Sequence, residues 1–188
     1  MQSRIVRGID QKNLGFISEG ISNGEDINHV ENNLNIPILQ YAIRKNAEIE
    51  IIKELIQKGA NVNAKAENGM TPLMYAVQSG RFDVVKLLLD SGALVNEQDS
   101  GGKTPLMFSA DGEHSIHREI YNYLIRKRAN PNLRDYYGNT VSFYDKRRLK
   151  RLRDSADYFR RVNSSYNYGN RGGYSYGSRP YGSSRGRR

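Results

Sequence analysis

The chain has 188 residues, 29 Lys and Arg against 20 Asp and Glu, and no cysteine. That length holds one domain with a sizeable core, and the missing cysteines exclude disulfides, thiolate catalysis and cysteine-based zinc sites. The charge is uneven: residues 146–188 carry 13 Lys and Arg and 2 Asp, while residues 1–145 are slightly acidic, so a basic end with an anionic partner is expected.

From the N-terminus, Ile5 and Ile9, then Leu14, Phe16, Ile17 and Ile21, predict two short helices broken near Lys12 and Asn13. Gly24, Glu25, Asp26, Ile27 and Asn28 close this first unit, about residues 4–34, with a turn over 29–34. The second unit, about 35–69, opens at Pro37-Ile38-Leu39 and Tyr41-Ala42-Ile43. It continues in a helix carrying Ile49, Ile51, Ile52, Leu55 and Ile56 and closes at Gly59-Ala60-Asn61-Val62-Asn63. The third unit, about 70–102, is the most complete. Thr71 suits a helix N-cap and Pro72 the first turn, where no backbone donor is needed. Ser79 and Gly80 end that helix. Phe82, Val84, Val85, Leu87, Leu88 and Leu89 make the next helix apolar around most of its circumference, so it must be covered on more than one side. Gly92 stands where a left-handed C-cap is expected, and residues 96–102 read as a hairpin turn.

The fourth unit, about 103–138, starts at Thr104-Pro105-Leu106-Met107 and has three extra residues between its helices, around Gly112, Glu113, His114 and Ser115. Ile116, Ile120, Leu124 and Ile125, with Tyr121 or Tyr123, make its second helix. Val141, Leu149, Leu152, Ala156, Phe159 and Val162 then predict one capping helix over about 140–162. Its apolar stripe, Leu149 and Leu152 included, is expected to turn inward onto the fourth unit, leaving a basic outer face. Residues 163–188 contain only Gly, Ser, Tyr, Arg, Asn and one Pro, which cannot bury a core, so disorder is expected there.

The units are copies. Thr71-Pro72-Leu73-Met74 returns as Thr104-Pro105-Leu106-Met107, Gly69 as Gly102, Gly59 as Gly92 and Asn63 as Asn96, at one fixed period. This pattern resembles the ankyrin repeat. The resemblance implies an all-α solenoid of helix-turn-helix repeats with short hairpin loops over residues 4–162, followed by the disordered tail. It departs from the family at Met74 and Met107, where a His usually bridges neighbouring repeats; apolar packing is expected in its place.

The resemblance also implies a non-enzymatic scaffold that binds a partner protein through one concave groove. Its contact positions fall on Arg44, Lys45, Glu67, Asn68, Met70, Gln78, Ser79, Ser100, Gly101, Lys103, Asp111, Tyr136, Tyr137 and Asn139. Exposed paired aromatics suit interface anchors, which singles out Tyr136 and Tyr137, although packing onto the capping helix is an equal alternative. Tyr41, Tyr75 and Phe108 recur at one repeat position, which in the family is core. His114 and His117 lie near Glu113 and Glu119 but lack a third ligand, so they read as solvated loop residues rather than a metal site. No nucleophile–base pair and no phosphate-cradling loop stands out, so no catalytic residue or cofactor is expected.

A different class of function rests on the C-terminus: RNA binding through Lys146, Arg147, Arg148, Lys150, Arg151 and Arg153, joined by Tyr166, Tyr168, Arg171, Tyr174, Tyr176, Arg179, Tyr181 and Arg185. The tail resembles the Arg/Gly-rich segments of RNA-binding proteins, with Arg for phosphates and Tyr for base stacking. With no signal-peptide-like start and no long apolar run, the expected protein is an intracellular, cytoplasmic monomer, with nuclear import through the basic run if the source is eukaryotic.

Overall fold

A computed structural model describes residues 3–28 and 36–169; the turn expected at 29–34 and the end of the chain from 170 lie outside the described residues. Among the described residues every regular element is helical. The helices are α1 (Arg4–Asp10), α2 (Leu14–Ser22), α3 (Ile38–Arg44), α4 (Ile49–Gln57), α5 (Pro72–Gln78), α6 (Phe82–Asp90), α7 (Pro105–Asp111), α8 (Ser115–Arg126) and α9 (Val141–Gly169).

Four antiparallel pairs, α1/α2, α3/α4, α5/α6 and α7/α8, pack within residues 1–150. First helices stack on first helices, α3 on α5 and α5 on α7, and second helices likewise, α4 on α6 and α6 on α8. The first helices α3, α5 and α7 have 7 residues each, too few to hold together alone in water. Their stability comes from the layer between the two stacks, where Leu55, Leu73, Met74, Val84, Val85 and Leu88 are fully buried.

The helix starts follow from their residues. The hydroxyl of Thr71 accepts from the Met74 amide at 3.4 Å and that of Thr104 from the Met107 amide at 3.3 Å. α1 starts in the same way, the Ser3 hydroxyl accepting from the Val6 amide at 3.4 Å, and Glu25 reinforces it: its carboxylate accepts from the Ser3 hydroxyl at 2.6 Å and from the amides of Arg4 and Ile5 at 3.0 and 3.1 Å. Met74 and Met107 are buried in the core, which is the apolar packing expected where the family has His. Gln40, at the same position of α3, stays polar and donates to the Ala64 carbonyl at 2.6 Å.

A row of asparagines ties each repeat to the next. Asn63 accepts from the Leu94 amide at 2.9 Å and donates to the Gly92 carbonyl at 3.2 Å. Asn28 bonds Asn61 and Gly59 in the same way, and Asn96 bonds Asn130 and Arg128. The carbonyl that each one reaches belongs to a residue in the left-handed region: Gly59 at φ 96°, Gly92 at φ 90° and, in the fourth repeat, Arg128 at φ 67°.

α9 departs from expectation in two ways. It runs to Gly169, seven residues past the expected end, so residues 163–169 are helical rather than part of the tail. Up to Asp157 its buried residues are Val141, Tyr144 and Arg148, at i, i+3 and i+7, while Leu149 and Leu152 are 54% and 43% exposed; the expected stripe residues Phe159 and Val162 lie outside the side chains described. The reason is that α9 takes the place of a first helix of a repeat, so its register is set by Val141, which stands where Pro72 and Pro105 stand, and not by the leucines. Beyond Lys150 the helix continues in a second unit.

Removing one clamp should weaken the stack. Asn63→Ala is expected to lower the unfolding free energy by about 1–3 kcal/mol, the loss of two hydrogen bonds at a repeat junction. Arg128→Gly should raise it by about 1 kcal/mol by relieving the left-handed backbone. Both are read as shifts of the urea midpoint at constant slope.

Candidate functional site

The candidate contact positions fall on two structures. The first is the row of hairpin tips between repeats. Each tip is a tight turn closed by backbone pairs, Ala66 with Met70, Asp99 with Lys103 and Asp135 with Asn139. The carboxylates of Asp99 and Asp135 each accept two further tip amides, those of Gly101 and Lys103 and those of Tyr137 and Asn139. Adjacent tips are joined by backbone bonds from the Ser100 amide to the Asn68 carbonyl, 3.0 Å, and from the Tyr136 amide to the Gly101 carbonyl, 3.1 Å. Glu67, Asn68, Ser100, Gly101, Tyr136 and Tyr137 therefore lie along one connected row. Asn139 is half-buried, its side chain donating to Asp135.

Tyr136 and Tyr137 are 76% and 85% exposed and do not pack onto α9. Met70 is different from its neighbours in the sequence-based set: it is buried in the core and cannot be a contact residue. Its side chain follows the hairpin inward because the Asn68 side chain accepts from the Met70 amide and turns the chain there.

The second structure is the C-terminal end of the first helices, which carries Arg44, Lys45, Gln78, Ser79 and Asp111. The fourth residue of α3, α5, α7 and α9 is aromatic in every case: Tyr41, Tyr75, Phe108 and Tyr144. Tyr41, Tyr75 and Tyr144 are buried and Phe108 is half-buried, in keeping with the core role expected for Tyr41, Tyr75 and Phe108 in the second to fourth repeats. Each ring also carries a cation within 6 Å of its centroid. Lys45 lies over Tyr41 at 5.3 Å, Arg44 over Tyr75 at 5.8 Å, Lys103 over Phe108 and Tyr144 at 5.8 and 5.3 Å, and Arg147 over Tyr144 at 5.4 Å. Sequence reasoning missed Tyr144 as a member of this series. The signal was present, because Tyr144 follows Val141 by three residues as Tyr75 follows Pro72.

Two of the cations are neutralised. Lys45 meets Asp10 at 3.3 Å, and the Tyr41 hydroxyl donates to the same carboxylate at 2.7 Å. Arg147 forks onto Asp111. That engages Asp111, a candidate contact, and Arg147, a candidate RNA contact, with each other. Arg148, also proposed for RNA, is buried and bonded to Asp145 at 2.6 Å, because it occupies the inward stripe of α9. Lys146, Lys150 and Arg153 are exposed and Arg151 is half-exposed. Tyr166 and Tyr168 fall in the last turns of α9, and Arg171, Tyr174, Tyr176, Arg179, Tyr181 and Arg185 lie outside the described residues.

Between α5, α7, α8 and the start of α9 lies a cleft of about 220 Å³, lined by Gln78, Lys103, Met107, Phe108, Asp111, Gly112, His117 and Tyr144. His117 is not the solvated loop residue expected from sequence. It sits in the first turn of α8 and is only 7% exposed, stacked on His114 with ring centroids 5.9 Å apart. Its Nε2 meets the Gln78 carbonyl at 3.4 Å, and its Nδ1 has no partner among the described residues. The longer loop of the fourth repeat makes this possible, because a Cβ on Gly112 would stand 2.2 Å from the imidazole Cγ. Among the described residues no three His, Cys, Asp or Glu side chains gather into a metal-binding group, and no helix is long and apolar enough to cross a membrane.

With stacked helix pairs, repeating hairpins and asparagine clamps in place, the class of the protein is a helical repeat protein. The family model Ankyrin repeats (3 copies) matches residues 9–99 and, overlapping it, residues 39–135, and the chain belongs to the ankyrin repeat family. Ankyrin repeats generally mediate protein–protein interaction. No curated protein matches the chain.

The tip bearing the two exposed tyrosines is anchored on Asp135. Burial pushes the Asp135 carboxyl up, but hydrogen bonds from the Tyr144 hydroxyl (2.5 Å), the amide and side chain of Asn139 and the Tyr137 amide outweigh it and hold the group below the ordinary carboxylate value. Burial first, and then the bond to Asp135, push the Tyr144 hydroxyl well above its ordinary value. A lowered carboxyl stabilises the fold above its unfolded-state value, and that stability is lost as pH falls through the folded value. Asp135→Asn is therefore expected to destabilise the protein at neutral pH and to flatten the loss of stability below the ordinary carboxylate range. Urea unfolding of both proteins across an acid pH series measures this.

Proposed function

We propose that the protein is a non-enzymatic scaffold that holds a partner protein along the row of hairpin tips and the C-terminal ends of the first helices. The observation that carries this is Tyr136 and Tyr137, two large aromatics standing in solvent on a backbone tied to the neighbouring tip. Exposed aromatics on a rigid support bury area at little conformational cost, which is how interface anchors act. The contact set under this reading is Arg44, Lys45, Glu67, Asn68, Gln78, Ser79, Ser100, Gly101, Lys103, Asp111, Tyr136, Tyr137 and Asn139, without the buried Met70.

A second reading, RNA binding, is favoured by the exposed cations Lys146, Lys150 and Arg153 on α9 and by the Arg- and Tyr-rich end that follows. Basic residues of this kind attract phosphates through released counterions, and the affinity falls steeply with salt.

Affinity capture from extract with the full chain, with and without nuclease, separates the two. A scaffold keeps its bound proteins after nuclease and loses them with Tyr136→Ala/Tyr137→Ala, a pair whose loss should leave the unfolding midpoint within about 0.5 kcal/mol of the parent. Bound material that disappears with nuclease, and with Lys146→Gln/Lys150→Gln/Arg153→Gln, would instead support RNA binding.

A further inference from the structure

Lys103 and Arg44 stand apart from the other cations beside the aromatic series. Lys45 and Arg147 are paired with Asp10 and Asp111, but neither Lys103 nor Arg44 has a carboxylate within ion-pair distance among the described residues. Lys103 lies at the cleft of about 220 Å³ with its ammonium beside the rings of Phe108 and Tyr144. The one carboxylate lining that cleft, Asp111, is neutralised by the fork from Arg147, which leaves a single positive charge over from Lys103. The rest of the lining is Met107, Phe108, the Tyr144 ring, Gly112, Gln78 and His117, whose buried Nδ1 has no partner among the described residues. The cleft holds about seven waters by volume, enough for one extended side chain and little more. In the second repeat, Arg44 extends over Tyr75 of the third and is exposed.

An occupant matched to this lining has an aliphatic stem for Met107 and Phe108 and a negative end for Lys103. Resting on the protein-binding reading above, we propose that the partner presents an acidic peptide segment. One glutamate side chain of that segment enters the cleft and meets Lys103, and a second carboxylate pairs with Arg44. A single-stranded nucleic acid fits less well, because base stacking requires open aromatic faces, and the rings of Tyr75 and Tyr144 are buried beneath their cations. The chain's own end does not fit either: residues 170–188 contain arginines and no acid, the wrong sign for Lys103 and Arg44.

The test uses the full chain and a fluorescein-labelled peptide of alternating glutamate and alanine, followed by anisotropy across a salt series. A peptide with glutamine in place of glutamate serves as the uncharged control. Lys103→Gln should weaken glutamate-peptide binding about fivefold, the worth of one lost partly exposed ion pair. Lys103→Arg should keep most of the affinity, and Arg44→Gln should weaken it by a smaller factor. Lys86→Gln removes the same charge from the second-helix stack and should have no effect. Circular dichroism of each variant confirms that helicity is retained.

Equal binding by Lys103→Gln and the parent would overturn the proposal, since the basic residues of α9 and the chain end would then account for any affinity. Equal binding of glutamate and glutamine peptides would overturn it too. A single-stranded RNA oligonucleotide that displaces the peptide, and that itself binds about fivefold more weakly to Lys103→Gln, would assign the cleft to nucleic acid instead. If the peptide fails these tests while captured proteins still depend on Tyr136 and Tyr137, the scaffold stands and only the acidic chemistry of its partner falls.

Discussion

Everything in this fold depends on one repeated contact, the asparagine side chain that spans from the end of one repeat to the closing turn of the next. A helix of 7 residues has no independent stability in water, and a single pair of such helices exposes the apolar sides that the next pair would cover. Each repeat therefore needs its neighbour, and the neighbour must arrive in one register. Asn28, Asn63 and Asn96 set that register by bonding both an amide and a carbonyl of the following turn. Hydrophobic burial supplies most of the energy, but it is not directional; the asparagines supply the direction. The backbone they bond is held in the left-handed region, which explains glycine in two repeats and makes Arg128 the one position in the series where the backbone is strained.

The same ordering passes to the surface. Because consecutive turns are held in register, consecutive hairpin tips come close enough to bond through Ser100 and Tyr136, and tip residues far apart in sequence become neighbours. Asp135 is the junction of this system. It closes the last tip, orders Asn139 and binds the Tyr144 hydroxyl of α9, so the position of two exposed tyrosines rests on one buried carboxylate. Exposed side chains on a support of this kind lose little freedom on binding.

Charge is arranged along the first helices by a similar periodic logic. An aromatic residue at the fourth position of α3, α5, α7 and α9 provides a face on which a nearby Lys or Arg rests, and cation–π contact is worth about 0.5–1 kcal/mol at exposed sites. Acids neutralise the cations at the outer members, Lys45 and Arg147. The resulting pattern is a set of positive charges each held against an aromatic ring, rather than a uniform basic patch. On α9 the exposed cations Lys146, Lys150 and Arg153 lie close in sequence, while Arg147 and Arg148 between them are paired with Asp111 and Asp145.

The amino-acid sequence alone determined the fold and its period, because Thr71-Pro72-Leu73 and Gly92 act locally: a hydroxyl caps its own helix, a proline fits its own first turn, a glycine adopts its own left-handed angle. It also singled out Tyr136 and Tyr137, but left solvent and packing onto α9 as equal alternatives; their exposure was decided by the tertiary structure. What it could not determine were the facts that depend on which side of an element meets another. Met70 looks like a tip residue and is core. Leu149 and Leu152 look like a buried stripe and are exposed, while Arg148 looks like part of a basic surface and is buried. The helical spacing of α9 allows more than one stripe to face inward, and only the packing of Val141 and Tyr144 against the preceding repeat selects one. His117 shows the same limit: three extra residues before α8 are visible in the sequence, but that they place an imidazole against Gly112 and beneath a cleft is decided by tertiary contacts alone.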